Sequence, residues 1–284
     1  METPKTDISL YTASTPNGQK ISITLEELGL TYETVHIDIA KGVQKEDWFL
    51  RINPNGRIPA IVDRTPQETG MGLKKREKAV FEGAAIMLYL CQKYDKNHKI
   101  SYPFDTDKYW EVVEWLTWMQ SGLGPMQGQA NHFYRYAPEK IPYAIQRYQT
   151  ETRRLYQVIE DRLRTQREGN HTVAGTAASH AGPAHASQDP GPWLVGDKCT
   201  IADLACFSWV NWAEWAGVDA ESFPEIKNWR DRINARPAVK RGLDVPEKFT
   251  MKEKMMSKET AEEYARFHSQ WIMKGQEKDQ EVHK

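Results

Sequence analysis

The chain has 284 residues with 38 basic against 39 acidic side chains and a formal net charge of −1, so no global field favours nucleic acid or an anionic membrane. With 39% hydrophobic and 11% aromatic residues it can bury a sizeable core, and its length fits one large or two modest domains, two being the better expectation. No apolar stretch approaches the ~18 residues of a membrane span, and the opening METPKTD is polar where a signal peptide needs an apolar segment, so the expected location is cytoplasmic. Cys91, Cys199 and Cys206 form no CxxC pair and lie in apolar surroundings, which predicts buried thiols.

Residues 8–11 (ISLY) read as a strand. A helix is expected over about 17–28, because Ile21, Leu25 and Leu28 share one face and Gly29 stands where a cap needs positive φ. Val35, Ile37 and Ile39 alternate with polar residues as in a second strand, completing a βαβ unit. A short helical stretch around 47–50 leads into the turn formers Asn53-Pro54-Asn55-Gly56 and the strand that follows, Arg57 to Asp63. Pro59 belongs at the mouth of that strand, where a cis bond is admissible, with Ile58 extended and its backbone groups free. Residues 64–79, with Lys74-Lys75-Arg76, read as a solvated loop, and Val80 to Ile86 opens a helix running through Leu90.

From about Asp105 the pattern is helical only. Val112, Trp115, Leu116 and Met119 form one bundle stripe, and Leu155, Ile159 and Leu163 another. Glycines and a proline in 122–128 predict a break or kink between them. Residues 169–191, rich in Ala, Gly, Ser, His and Pro, read as a disordered insertion. His171, His180 and His185 within it match no metal-site spacing, and no metal is expected. Thr200 and Asp203 make a capping box ahead of a buried helix over 201–215, whereas Thr24 and Glu27 fit the same spacing inside a helix and are a false match. A second box, Thr250 with Glu253, precedes a peripheral helix whose Tyr264, Phe267 and Trp271 are expected to share a face.

In a βαβ-ββα arrangement two helix N-termini, at Thr15 to Asn17 and at Glu82-Gly83, meet beside the Ile58-Pro59 backbone. Free amides and positive dipole ends there favour an anion, and the open backbone at Ile58 suits an extended peptide. A small acidic peptide is the expected ligand.

"ASTPNGQKISITLEELGL", "RINPNGRIPAIVD", "FEGAAIMLYL", "GLGPMQGQANHF", "IPYAIQRYQTETRRLYQVI" and "TIADLA" together resemble the cytosolic glutathione transferases, more narrowly the nu-class bacterial enzymes and the fungal nitrogen-regulator-like ones. The resemblance spans about residues 7–240. It implies an α+β fold: a thioredoxin-like glutathione-binding domain over 1–102, an all-helical bundle domain over 105–245, and a helical extension over 246–284. It also implies a homodimer, glutathione as cosubstrate, and a disulfide or electrophilic small molecule as second substrate. By the same resemblance Thr15 and Asn17 approach the glutathione sulfur, Ile58 pairs with the cysteinyl backbone, and Pro59 is the cis-proline. Glu82 and Gly83 hold the γ-glutamyl end, Gln44 lies near the glycyl end, Arg57 stands in the binding motif, and Arg147 reaches in from the helical domain.

A thiol with a pKa near ~8.5 needs roughly 2.7 kcal/mol of preferential thiolate stabilisation to reach about 6.5. One charge-assisted bond from Thr15 or Asn17, at about 1.5–3 kcal/mol, plus a helix terminus at up to about 1, supplies that. The bland alternative is that either residue only caps the helix. Gly83 departs from the family's usual serine, a lost hydroxyl contact of about 1 kcal/mol. The expected function is a glutathione-dependent transferase or disulfide-bond reductase; the alternative is a regulatory or protein-binding module on the same fold. Trp115, Trp118, His132, Phe133 and Tyr136 of the helical half are expected either near the second-substrate cleft or in the core.

Overall fold

The computed structural model describes residues 6–69, 72–74, 77–169, 191–255 and 257–282. Strand β1 (Ile8–Thr12) is followed by helix α1 (Pro16–Leu28), which Gly29 ends at φ 64°, and by β2 (Glu33–His36). The one-turn helix α2 (Asp47–Leu50) precedes β3 (Ala60–Asp63), the hairpin β4 (Gln67–Thr69) and β5 (Gly72–Lys74), then β6 (Lys78–Phe81) and α3 (Gly83–Tyr94). The main sheet has the order β2-β1-β3-β6, with β1 parallel to β2 and antiparallel to β3, and β3 antiparallel to β6. This is a thioredoxin-like sheet.

Period-two alternation builds both faces of it. Ile8, Leu10 and Ile61 face the core shared with α1 and α3, while Tyr11, Ala60 and Val62 pack against Ile37 and Phe49 on the other side. The expected second strand is shorter than its pattern: it ends at His36, because Asp38 caps a 3-10 turn over Ile39–Lys41. The expected loop at 64–79 is corrected too, since it contains a hairpin and the first residues of β6. Lys75 and Arg76 lie outside the described residues.

The helical half comprises α4 (Asp107–Trp118), α5 (Gly124–Asn131), α6 (Pro142–Arg167), α7 (Ile201–Val210), α8 (Pro224–Ala235), α9 (Pro237–Leu243), α10 (Met251–Met255) and α11 (Lys258–Val282). Val112, Leu116 and Met119 of the first expected stripe are buried and Trp115 is partly buried against the same core; Leu155, Ile159 and Leu163 of the second are buried. The glycine-rich stretch does not break the chain. A π-helical turn over Met119–Leu123 joins α4 to α5 instead, absorbing one extra residue per turn. The expected insertion and its three histidines fall on residues 170–190, outside the described residues.

Helix α7 is buried along its whole length and begins with the predicted capping box: Thr200 caps Ala202, and Asp203 accepts from the Thr200 amide at 2.9 Å. It ends at Val210 rather than 215, giving way to a 3-10 turn over Ala213–Ala216. Thr24 and Glu27 form no box; Thr24 donates back to the Lys20 carbonyl. All three cysteines are buried, and none forms a disulfide among the described residues.

The two halves share one core. Helix α9 lies so close to α1 that a Cβ at Gly242 would stand 2.6 Å from Ile23 Cα, and Ser22 Oγ donates to the Gly242 carbonyl at 2.6 Å. Helix α11 docks on its own chain through Ala261, Ala265 and Tyr264, which pack with Trp212, Trp215 and Met251. Its expected aromatic stripe is corrected: Tyr264 faces Trp215 at 5.4 Å between centroids, whereas Phe267 is 64% exposed. The Trp271 side chain is outside the described residues.

Candidate functional site

The α1 N-terminus is shaped by its sequence. Thr15 is extended (φ −135°, ψ 160°) and its Oγ1 accepts from the Gly18 amide at 3.1 Å, with Pro16 preset for the first turn. Gly18 is required because a Cβ there would meet the Ala13 carbonyl oxygen at 2.3 Å. Asn17, half-buried on the first turn, accepts through Oδ1 from Lys20 Nζ at 2.9 Å.

A second wall comes from the turn before β3. Asn53 is buried; its Nδ2 donates to the Arg57 carbonyl at 2.7 Å and its Oδ1 accepts from the Asn55 amide at 2.9 Å. That side chain folds Asn53 to Arg57 into a tight loop that delivers Ile58. The Ile58-Pro59 bond is cis, and the sheet register begins at Ala60, so Ile58 stands ahead of the ladder.

The third wall is the start of α3. Glu82 has φ 67° and ψ 120°, a positive φ that is uncommon outside glycine and concentrates at functional sites. Its carboxylate accepts from Gln120 Nε2 at 3.0 Å and from Asn55 Nδ2 at 3.5 Å. Gly83 leaves room beside Lys20: a Cβ there would lie 3.5 Å from Lys20 Cδ and 3.8 Å from Nζ.

These walls enclose a cavity of about 580 Å³, within the range of small-ligand sites. Of the expected site residues, Asn17, Arg57, Ile58, Pro59, Glu82 and Gly83 are brought together in its lining, and Asn53 and Asn55 join them. The helical half closes it with Gln120 from the π-turn, Gly124, Pro125, Gly128 and Gln129 of α5, and Trp209 of α7. The buried Nε1 of Trp209 has no acceptor among the described residues.

Three expected residues stand elsewhere. Thr15 caps α1 and is not part of the lining. Gln44 is buried behind the Asn53–Gly56 turn, where its Nε2 donates to the Ile39 carbonyl at 3.4 Å and its Oε1 has no partner among the described residues. Arg147 lines a separate cleft of about 330 Å³ with Met126, Tyr143 and Glu151. The five candidate cleft aromatics do not reach the cavity either. Trp115 and Trp118 pack together at 5.2 Å, Phe133 stacks on Tyr148 at 5.4 Å and beside His132 at 5.1 Å, and Tyr136 accepts from Trp215 Nε1 at 2.7 Å.

Lys20 is the residue that sequence reading missed. It is 1% exposed, yet its Nζ reaches the cavity, hydrogen-bonds Asn17 and Gln120, and stands 5.9 Å from the Trp209 ring centroid. Burial lowers its pKa to about 7, against the opposing pull of Cys206 and Glu82. Its signal was positional: a lysine one turn after Asn17, in a helix whose other faces are also buried. Cys206 itself is no nucleophile, because burial pushes its thiol well above the ordinary range.

A thioredoxin-like sheet carrying a helical half, with a cavity where the N-termini of α1 and α3 meet, sets the class of fold. Residues 15–93 match the glutathione S-transferase N-terminal domain and residues 184–237 the C-terminal domain. The disulfide-bond oxidoreductase YfcG of Escherichia coli (strain K12) is 41% identical over 236 residues, which cover 83% of this chain and 94% of that one. A glutathione transferase homologue from Lodderomyces elongisporus, solved with two GSH per subunit, superposes with a TM-score of 0.71 at 40% identity, covering 84% and 99% of the two chains. The glutathione transferase URE2P6 of Phanerochaete chrysosporium, solved with oxidised glutathione, gives a TM-score of 0.67 at 35% identity over 83% and 94%. The chain belongs to the glutathione S-transferase family.

Proposed function

We propose that this protein is a glutathione-dependent disulfide-bond reductase with glutathione transferase chemistry in reserve. One observation carries the reading: the cavity combines an anion-favouring helix N-terminus and the backbone of Ile58, which stands outside the strand ladder, with a donor side chain, Asn17, and has no cysteine in its lining. The chain's only cysteines are Cys91, Cys199 and Cys206, all buried, so the reacting thiol comes from the ligand. Glutathione fits the charges in register. Glu82 suits its α-ammonium, the α3 N-terminus at Gly83 its γ-glutamyl carboxylate, and Arg57 its other carboxylate. Ile58 pairs with the cysteinyl backbone, which brings the sulfur toward Asn17.

The reaction follows from thiol exchange. The bound thiolate attacks one sulfur of RSSR, forming GSSR as the other sulfur leaves as RS⁻ and takes a proton. A second glutathione thiolate then attacks GSSR, giving GSSG and RSH. Two thiols are oxidised and one disulfide is reduced. A relative solved with two GSH per subunit and another solved with oxidised glutathione support room for both ligands in this family. A homodimer and a cytoplasmic location complete the proposal, supported by family membership. No helix among the described residues is long and apolar enough to cross a membrane.

Side-by-side assays with hydroxyethyl disulfide and a chloronitrobenzene test it. Turnover of the disulfide with glutathione consumption at two per disulfide is expected; activity on the aryl halide alone would contradict it.

A further inference from the structure

Lys20 is a buried charge for which glutathione binding alone has no use. Its Nζ donates to Asn17 Oδ1 at 2.9 Å and to Gln120 Oε1 at 3.4 Å, and Gln120 donates through Nε2 to Glu82 Oε2 at 3.0 Å. One polar chain therefore runs from the proposed sulfur end of the cavity, through Lys20 and Gln120, to its γ-glutamyl end.

An asparagine amide has an accepting end and a donating end. With the ammonium on Oδ1, Nδ2 is the end left for a ligand, and a thiolate requires a donor. Without the ammonium the amide is free to turn over and present Oδ1, which repels a thiolate and accepts from a neutral thiol. The orientation of one amide thus sets which protonation state of the sulfur is favoured. The ammonium also sits in a wall of low dielectric, where its field on a nearby anion is stronger than in water. The groups facing it are Cys206 from α7, which stays a neutral thiol, and Glu82 before α3, its one negative partner among the described residues; Asn17, Gln120 and the Trp209 ring are uncharged.

We propose that Lys20 is a positioning residue for the bound thiol: its ammonium locks Asn17 with the amide N–H end toward the sulfur, and so favours the thiolate. This rests on the glutathione reading above.

The test uses the full chain as wild type, Lys20→Met, Lys20→Gln, Asn17→Ala and the Asn17→Ala/Lys20→Met double variant. Glutathione binding is followed by calorimetry, and titration of the bound thiol by its ultraviolet thiolate absorbance. Methionine keeps the length and removes the charge; glutamine keeps a neutral donor for Asn17. In Lys20→Met the bound thiol is expected to titrate about one pH unit higher, with kcat/KM on the disulfide at pH 7 down about tenfold. Lys20→Gln should fall between Met and wild type, and it carries the test if the methionine variant does not fold. In the Asn17→Ala background Lys20→Met should add less than about twofold, because the two residues act as one unit. A thiol titration and pH profile unchanged in both Lys20 variants would overturn the role, as would fully multiplicative losses in the double variant. If wild type binds no glutathione, the glutathione reading itself falls and this role with it; binding by wild type with unaltered Lys20 variants overturns the role of Lys20 alone.

Discussion

Arg236, at the start of α9, donates to both carboxylate oxygens of Glu27 in α1, through Nε at 2.7 Å and Nη2 at 3.0 Å. Glu27 is 2% exposed and also lies 3.3 Å from Lys99 Nζ, so one buried carboxylate ties the sheet half to the helical half. Burial pushes its pKa up, but the bonds and charge of Arg236, with Lys99, outweigh burial and hold it below the usual carboxylate range.

Glu27→Ala removes one side of this pair and is expected to cost about 3 kcal/mol, because it strands a partly buried guanidinium. Thermal unfolding of the variant checks the magnitude. The sign of the pH effect follows from the depressed pKa. The Glu27 contribution is fully present above the unfolded value near ~4.5 and is lost as pH falls through the lower folded value. The gap in Tm between wild type and Glu27→Ala should therefore narrow below about pH 4.

Thr15 and Asn17 separate by measurement. Thr15 Oγ1 accepts from the Gly18 amide and is not part of the cavity lining, whereas Asn17 is. Thr15→Ala is expected to cost about 1 kcal/mol of stability with turnover little changed. Asn17→Ala is expected to lower kcat/KM by tenfold or more, for about 1.5–3 kcal/mol of lost charge-assisted bonding, together with a fall in Tm because the buried Lys20 ammonium loses its Oδ1 acceptor. A fall in kcat/KM for Thr15→Ala with turnover of Asn17→Ala unchanged would assign the sulfur to Thr15.

Gly83 is the departure whose effect is readable from space alone. Among the described residues a Cβ at that position meets only Lys20, at ordinary contact distances of 3.5 and 3.8 Å. Gly83→Ser should fold normally and bind glutathione about fivefold more tightly, the value of one regained hydroxyl contact of about 1 kcal/mol. Competitive titration against wild type reads the change.

Lys20 carries a stability signature of its own. Its folded pKa, near 7, lies below the ordinary lysine value, so between those values the unfolded chain binds a proton that the folded chain does not. Stability from this group thus rises as pH climbs above 7 and is least below it. Lys20→Met should gain most over wild type in Tm at pH 6, and the gain should shrink by pH 9.

Much of this was legible because it rests on local chemistry. Thr15-Pro16 announced a helix start, Gly29 its end, Thr200 with Asp203 a capping box, and Pro59 the mouth of a strand, each by a rule that involves only a few neighbouring residues. The alternation that places Ile8 and Leu10 on one face of the sheet was equally visible. Lys20 and Gln120 were not, because their roles depend on α1 meeting the π-turn across the domain interface, a contact between residues 100 apart in sequence. The same limit left open whether the helical aromatics stand at the cleft or in the core. Spacing shows that Phe133 and Tyr136 share a segment, but only packing shows Phe133 stacked on Tyr148 and Tyr136 held by Trp215, while Trp209 takes the cavity wall. Ile39 followed the strand pattern and lost it to Asp38, whose side chain accepts from the Ala40 and Lys41 amides and turns the chain.

Calorimetric titration of the intact protein with reduced glutathione is the most direct test of the central claim. Saturable binding at one or two sites per chain, weakened by tenfold or more on adding an excess of S-hexylglutathione as competitor, is the predicted result. No heat of binding at millimolar glutathione would contradict it and favour a regulatory module on the same fold.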